Sequence, residues 1–383
     1  MRILFNAYAA VSPPLTGVGH YARRLLQGLA AHRTELELLC FNDNRIIDLP
    51  NFSAPVPGGQ TRSNMVRRLA LSLAYRAPYA RQLRTVLSGG LVQDRYRDAI
   101  YHEPNHILQP FRGRGVVTVH DISVLHYPEF HPQPRVIYFN RHLRETLARA
   151  DRIITDSAFI SRDLQRTLGI AMDRIRIVPL GVDAAFKPIS DAAAAPVLAR
   201  YGLTARGYLL AVGTREPRKN LERLLEAYLT LPDPLRARIP LALVGPPGWR
   251  IEKLEARLGT LEQSGQMRRL GYVADADRPA LYAGATGLAY PSLYEGFGLP
   301  PLEAAACGIP VVTSRDSPMA EVLGETAVLI DPLDIDAIRE GLVRLVDDTA
   351  LAATARQKAA HWHARYSWEA CVARTIAVYR ELA

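Results

Sequence analysis

The segment "YEGFGLPPLEAAACGIPVV", residues 294–312, decides the fold. It is preceded by "GLAYPS", which reads as a buried strand. It runs through a loop into a short helix, "LEAAACG", closed by a glycine ahead of the apolar strand "IPVVTS". Strand, loop, helix and strand in direct succession describe one unit of a parallel sheet. In such sheets ligands bind outside the carboxyl ends of the strands, where a loop turns into a helix. Glu295 sits in that loop. Gly296 and Gly298 allow a ligand to approach the backbone closely. Pro300 and Pro301 preset the first helical turn, whose positive end suits a phosphate or another anion. Glu303, one turn into the helix, can point back to the same pocket, where two carboxylate oxygens suit a vicinal diol such as ribose. Glutamates also sit on solvated faces, so these two residues alone leave both readings open.

The same rhythm runs along the chain. "ILFNAY", "LELLCF", "GVVTVHD", "RIITDS" and "IRIVPLG" read as strands in the first half, and "YLLAVG", "LALVG", "RRLGYV", "GLAYPS", "IPVVTS" and "AVLIDP" in the second. Amphipathic helices separate them. Continuous apolar strands alternating with helices imply parallel sheets covered on both faces. The expected class is α/β, with two doubly wound, Rossmann-like domains facing a central cleft. The rhythm breaks at "AAFKPISDAAAAPVLARYGLTARG", which is the expected linker. The expected domains are 1–187 and 188–365. A C-terminal helix, 366–383, is expected to pack back on the first domain.

Composition narrows the class. At 383 residues, 48% hydrophobic and 22% charged, the chain reads as globular and is long enough for two cores. Its three cysteines, Cys40, Cys307 and Cys371, are widely scattered and show no metal or disulfide spacing, which fits a reducing cytosol. The start, "MRILFNAYAAVSPP", is too short an apolar run for a signal peptide, and no apolar run is long enough to cross a bilayer. The net charge of +9 is uneven: residues 1–190 hold 25 Lys+Arg against 15 Asp+Glu. Much of that excess lies in "TRSNMVRRLALSLAYRAPYARQLR", which has six arginines and no acid. Basic charge with Met65, Leu69, Leu73 and Tyr75 near helical spacing fits an anionic membrane surface. An ordinary domain helix with arginines facing water is the alternative.

Other stretches point to the same chemistry. "LLAVGTREPRKNLERLLEAY" ends a strand in Gly213 and places Arg218 and Lys219 at a helix entrance. Positive charge there is mildly unfavourable against the helix dipole, so a diphosphate partner gives it a reason. "VVTVHD" puts His120 at the carboxyl end of a strand, and "TGVGHYA" supplies Gly17 and Gly19 at another helix start. With "EGFGLPPLE", "DSAFISRDL" and "PLGVD", these motifs make the chain resemble, along nearly its whole length, the retaining GT-B glycosyltransferases of family 4.

The resemblance implies a role for each matching residue. Glu295 and the backbone from Gly296 to Gly298, with Phe297 and Leu299, would hold the donor sugar; Glu303 would hold the ribose, and Lys219 and Arg218 the diphosphate. His120 would contact the transferred sugar. Gly17 and Gly19 would open the loop near the diphosphate and acceptor. Tyr272 and Val273, after Gly271, would line the base. The motifs look most like those of bacterial mannosyl- and rhamnosyltransferases of O-antigen and related lipopolysaccharide assembly. That similarity implies a GDP-sugar donor, a lipid-linked glycan acceptor and a peripheral place on the inner face of the cytoplasmic membrane. Many relatives carry an arginine directly after the strand-ending glycine; here Thr214 follows Gly213.

No metal site is read in the strand-end loops, so neither metal nor other cofactor is expected. Charge on the departing diphosphate would fall to Lys219, Arg218 and helix amides. Four alternatives remain. A UDP-sugar could replace the GDP-sugar, and a nucleotide-sugar epimerase would need no acceptor. A nicotinamide oxidoreductase would use "GVGHYA" with Asp43, but eight residues separate the first strand from Gly17 where that turn should be tight. A nucleic-acid-binding protein would use the basic excess, but no recognised nucleic-acid module accompanies it.

Overall fold

The computed structural model describes residues 1–12, 15, 17–42, 45–50, 95–249 and 251–383. The arginine-rich stretch 61–84 lies outside the described residues. The chain forms two units, Met1–Leu180 with Trp368–Ala383, and Gly181–Ser367. The chain therefore passes between units at 180/181 and 367/368, against the expected 187/188 and 365/366.

The first unit is built on seven strands: β1 (Arg2–Asn6), β2 (Glu37–Asn42), β3 (Arg45–Ile47), β4 (Ile100–Glu103), β5 (Arg114–Thr118), β6 (Arg152–Thr155) and β7 (Ile175–Ile177). They lie in the order β3-β2-β1-β4-β5-β6-β7. All pairings are parallel except β2 with β3, so the sheet carries one antiparallel edge strand that periodicity did not mark. β4 was missed too. Its "IYHE" sets two polar residues after two apolar ones, yet all four residues are buried. The last helix, Trp368–Arg380, packs in this unit against the helix Gly17–Ala30. A Cβ on Gly28 would stand 2.3 Å from Val372 Cγ2, so only glycine admits that approach. Glu381 closes the contact, accepting hydrogen bonds from Arg152 and Arg176 at 2.7 Å.

The second unit holds a six-stranded parallel sheet: β8 (Leu209–Val212), β9 (Leu241–Val244), β10 (Met267–Gly271), β11 (Gly287–Tyr290), β12 (Val311–Ser314) and β13 (Ala327–Ile330). The order is β10-β9-β8-β11-β12-β13. Its core draws on both halves of that order: Leu209 and Leu241 from strands, Leu224 and Tyr228 from the helix Leu221–Leu229, and Ile338, Leu342 and Leu345 from Ile335–Asp347.

The expected linker, 184–207, is corrected by the structure: it contains the helix Asp191–Arg200. Ser190 caps it by accepting from the Ala193 amide at 3.2 Å. Ala194 and Leu198 are buried, and that packing holds the helix despite Pro196. A second helix that the sequence reading did not mark, Thr349–Arg365, precedes the final one.

Both sheets reverse strand order next to their first strand, between β1 and β4 and between β8 and β11. That reversal is where an open parallel sheet leaves a crevice at its carboxyl edge.

Candidate active site

In the second unit, the reversal point is where Arg218, Lys219 and Glu295 meet. β8 ends at Gly213, whose φ of 145° lies in the region that favours glycine. A Cβ there would stand 3.4 Å from Lys219 Cε, so the lysine stem lies against this backbone. The chain then turns through Pro217–Lys219 to Asn220, which has φ 58°. The strain of a left-handed non-glycine residue is held by its side chain. Asn220 Nδ2 donates to the carbonyls of Pro291 at 3.0 Å and Pro332 at 2.6 Å, fixing this turn to the loop after β11 and to the end of β13. Two further bonds fasten the same loops: the Leu293 amide to the Arg218 carbonyl, 2.9 Å, and Arg218 Nη1 to the Tyr294 carbonyl, 2.7 Å.

The charges in this corner neutralise one another. Lys219 Nζ donates to Glu295 Oε1 at 2.5 Å and to the Tyr290 hydroxyl at 2.7 Å. Arg218 Nη1 donates to Glu295 Oε2 at 2.8 Å, and Nη2 to Glu216 Oε1 at 2.7 Å. Glu216, which the sequence reading did not single out, is therefore the second anion of a buried set of two cations and two carboxylates. Burial opposes ionisation of Glu295, but Arg218 and Lys219 outweigh it and hold its pKa near about 2. Burial lowers the Lys219 pKa, while Glu295 acts against that. Arg218 and Lys219, expected to hold the diphosphate, both pair with Glu295.

The loop and helix after Glu295 are rigid for identifiable reasons. Gly298 has φ 98°, and a Cβ there would meet Met319 Cγ at 2.4 Å. Phe297 is buried with its ring edge-on to Tyr366, 5.8 Å between centroids. Its side chain anchors the loop from the core side, which leaves the backbone as the part that can face a ligand. The helix spans Leu299–Ala306 with prolines in its first turn. Pro300 and Pro301 have no N–H, so fewer amides point from this terminus than from an ordinary one.

Glu303 is buried, and Arg278 Nη2 donates to its Oε1 at 2.6 Å. Arg278, from the helix Arg278–Ala283, also lies over the Phe186 ring at 5.2 Å. Burial disfavours its charge, but Glu303 more than compensates and raises its pKa. Oε2 of Glu303 is buried without a hydrogen-bond donor of good geometry. Arg278 was not foreseen; it stands 25 residues from Glu303, beyond any local spacing rule. Tyr272 is 65% exposed after Gly271, whose φ is 63°, whereas Val273 is buried.

In the first unit, His120 follows β5 and is 7% exposed. Its Nδ1 lies 2.7 Å from Asp156 Oδ2, and its Nε2 lies 3.0 Å from the Pro104 carbonyl. Tyr21 packs edge-on against the ring at 4.7 Å. Glycine at 19 keeps the helix Gly17–Ala30 close to the preceding turn, since a Cβ there would stand 3.0 Å from the Ala9 carbonyl. Around Gly17 there is open space among the described residues. The helical turn Tyr8–Val11 stands between β1 and Gly17, which removes the tight turn a dinucleotide fold requires. At the end of β4, Asn6 Nδ2 and the Tyr101 hydroxyl donate to Glu103 Oε2 at 2.6 and 2.9 Å. Burial without a cation pushes the Glu103 carboxyl up to about 8.

Among the described residues, no cluster of three or more His, Cys, Asp or Glu side chains could hold a metal ion, and no helix is long and apolar enough to cross a membrane.

Two parallel-sheet units, with a basic turn and a carboxylate gathered at the strand-order reversal of the second, define a sugar transferase of the GT-B class. Known proteins agree. Residues 203–362 match the family "Glycosyl transferases group 1", and residues 15–186 match "Glycosyltransferase Family 4". The chain belongs to family 4 of the glycosyltransferases. It is 38% identical over 388 residues to the O-antigen chain mannosyltransferase B of Escherichia coli, covering 100% of both chains. A serotype-specific mannosyltransferase, WbdA, of the same organism is 32% identical over 67% of this chain and 32% of its own length. Among solved structures, sucrose-phosphate synthase from Thermosynechococcus elongatus superposes with a TM-score of 0.76 at 22% identity, covering 100% of this chain and 99% of that one. WaaG, a glycosyltransferase involved in lipopolysaccharide biosynthesis, gives 0.67 at 19% identity over 94% and 95%. The protein is a hexosyltransferase of this fold, acting with a nucleotide-sugar donor and a glycan acceptor.

Proposed function

We propose that the protein transfers mannose, with retention and without metal, from GDP-mannose to a lipid-linked glycan acceptor in O-antigen assembly. The observation that supports this best is the joining of Arg218, Lys219 and Glu295 at the strand-order reversal, with full-length similarity to an O-antigen mannosyltransferase. The second unit takes the nucleotide sugar. Lys219 and Arg218 meet the diphosphate, Glu295 and the backbone of 296–299 the sugar, Glu303 the ribose, and Tyr272 the base. His120, Gly17 and Gly19 are the first unit's contributions to the reaction and the acceptor.

Two cations and helix amides supply the positive field that a metal supplies elsewhere, so a chelator leaves transfer intact. The test is a panel of purified GDP- and UDP-sugars, read by slow donor hydrolysis and by binding of the free diphosphates in EDTA. GDP-mannose should be hydrolysed fastest. Glu303→Ala should bind GDP roughly ten- to a hundredfold more weakly, about 1.5–3 kcal/mol for a lost charged contact. Preference for a UDP-sugar overturns the donor. Unchanged GDP affinity in a folded Glu303→Ala protein removes the ribose role.

The basic stretch 61–84 is proposed to hold the enzyme against anionic lipid, each arginine contributing about 1 kcal/mol near the surface. Co-sedimentation with anionic liposomes should weaken as salt rises and disappear when Arg67, Arg68 and Arg76 become glutamate. Equal recovery in the supernatant with neutral and anionic vesicles rejects it.

A further inference from the structure

We infer that Asp156 is a positioning residue that holds the His120 ring as an imidazolium with both N–H groups committed, so that His120 acts in the reaction through fixed positive charge. This rests on the proposed part of His120 in transfer, but the state of the ring is independent of that part.

The geometry determines the proton count. Nε2 faces the Pro104 carbonyl at 3.0 Å, and a carbonyl oxygen only accepts, so Nε2 carries a proton. Nδ1 faces Asp156 Oδ2 at 2.7 Å, which requires a proton between them. Imidazole is more basic than a carboxyl by more than about two pH units in water; burial raises the Asp156 carboxyl, but His120 beside it acts against that rise, so the proton belongs to the ring. Asp156 is 2% exposed, and its Oδ1 has no hydrogen-bond partner among the described residues, so its charge is compensated chiefly by this ring. It stands at the end of β6, before Ser157 caps the next helix, and is therefore fixed from both sides.

The other groups facing the ring do not replace Asp156. Asp121 adjoins it, His106 lies 5.5 Å away between centroids, and Tyr21 packs on its face. His102 is held at its two nitrogens by Tyr379 and Thr118. Burial drives His102 and His106 down to about 3, so both are neutral near pH 7. Cys371, which is pushed up to about 12 by burial, is neutral too. Burial opposes charge on His120 as well, but Asp156 outweighs it and raises the ring's pKa. The sign follows: the protonated ring stabilises the unit fully below about pH 6.5, and that contribution is lost as pH rises through the raised value.

The experiment is proton and nitrogen NMR of full-length, histidine-labelled protein, with His120→Gln to assign the resonance. The His120 ring should carry protons on both nitrogens at pH 7. In Asp156→Asn its titration should move down by about 1–3 pH units. The basic limb of the kcat profile should move down with it, leaving the donor KM unchanged. Asp156→Glu, which restores the charge, should return both toward wild type. If Asp156→Asn does not fold, the wild-type titration and the Glu variant still decide. A singly protonated wild-type ring at pH 7 overturns the inference, as does an unchanged titration in a folded Asp156→Asn protein with a lower Tm. A titration that shifts while the kcat profile stays put upholds the dyad and removes His120 from the reaction.

Discussion

Lys219→Ala should lower sugar transfer by about 10²–10³-fold, the usual loss when one preorganised donor to a departing anion is removed. Lys219 is the one primary ammonium in the buried set, and its Nζ has no second role in the fold beyond Glu295 and Tyr290 among the described contacts. On the proposed assignment, charge builds on the diphosphate as the glycosidic bond breaks, so the lysine would contribute most in the transition state and less in the bound ground state. The loss should therefore fall mainly on kcat. Stopped assays with GDP-mannose measure it. A purely structural role is separated by melting temperature, since removing Lys219 leaves Glu295 with Arg218 as its cation and the Tyr290 hydroxyl as a donor. A folded variant with activity within threefold of wild type would falsify the diphosphate assignment.

Glu295→Gln has effects of opposite sign on chemistry and on binding. Glu295 pairs with both cations, and on the proposed assignment a diphosphate would compete with it for them. Glutamine keeps the shape but removes the competing charge, so GDP should bind more tightly, by roughly tenfold, equivalent to about 1.4 kcal/mol. Turnover should fall on the order of a hundredfold if, as proposed, this carboxylate orients the transferred sugar. Calorimetry with GDP and a transfer assay on the same preparation decide the matter. Weaker GDP binding in the variant would mean that Glu295 supports the diphosphate site instead of closing it.

The residues that gather in this corner, Arg218, Lys219 and Glu295, stand out in the local sequence because their segments are short and chemically unusual. Adjacent Arg218 and Lys219 at a helix start oppose the helix dipole, and that conflict is visible without a fold. Glycine at 298 and prolines at 300 and 301 mark a turn that few other sequences could make. β4 was not legible, since His102 and Glu103 are residue types that seldom fill a buried strand. They are buried because Thr118, Tyr379, Asn6 and Tyr101 arrive from other elements to satisfy them. The helix Asp191–Arg200 was hidden by its alanines and Pro196, which give a weak apolar face until its neighbours cover it. Glu216 and Arg278 were passed over for a related reason: a charged residue has no visible partner until the chain folds.

By itself the sequence determined the two-unit parallel-sheet architecture and the family, since periodicity, glycine placement and charge beside a helix start are all local properties. Only the tertiary structure decided which charges meet. Lys219 and Glu295 stand 76 residues apart, as His120 and Asp156 stand 36 apart. A buried charge takes its pKa and its role from the partner within a few ångströms, and that partner is fixed by packing, not by spacing along the chain.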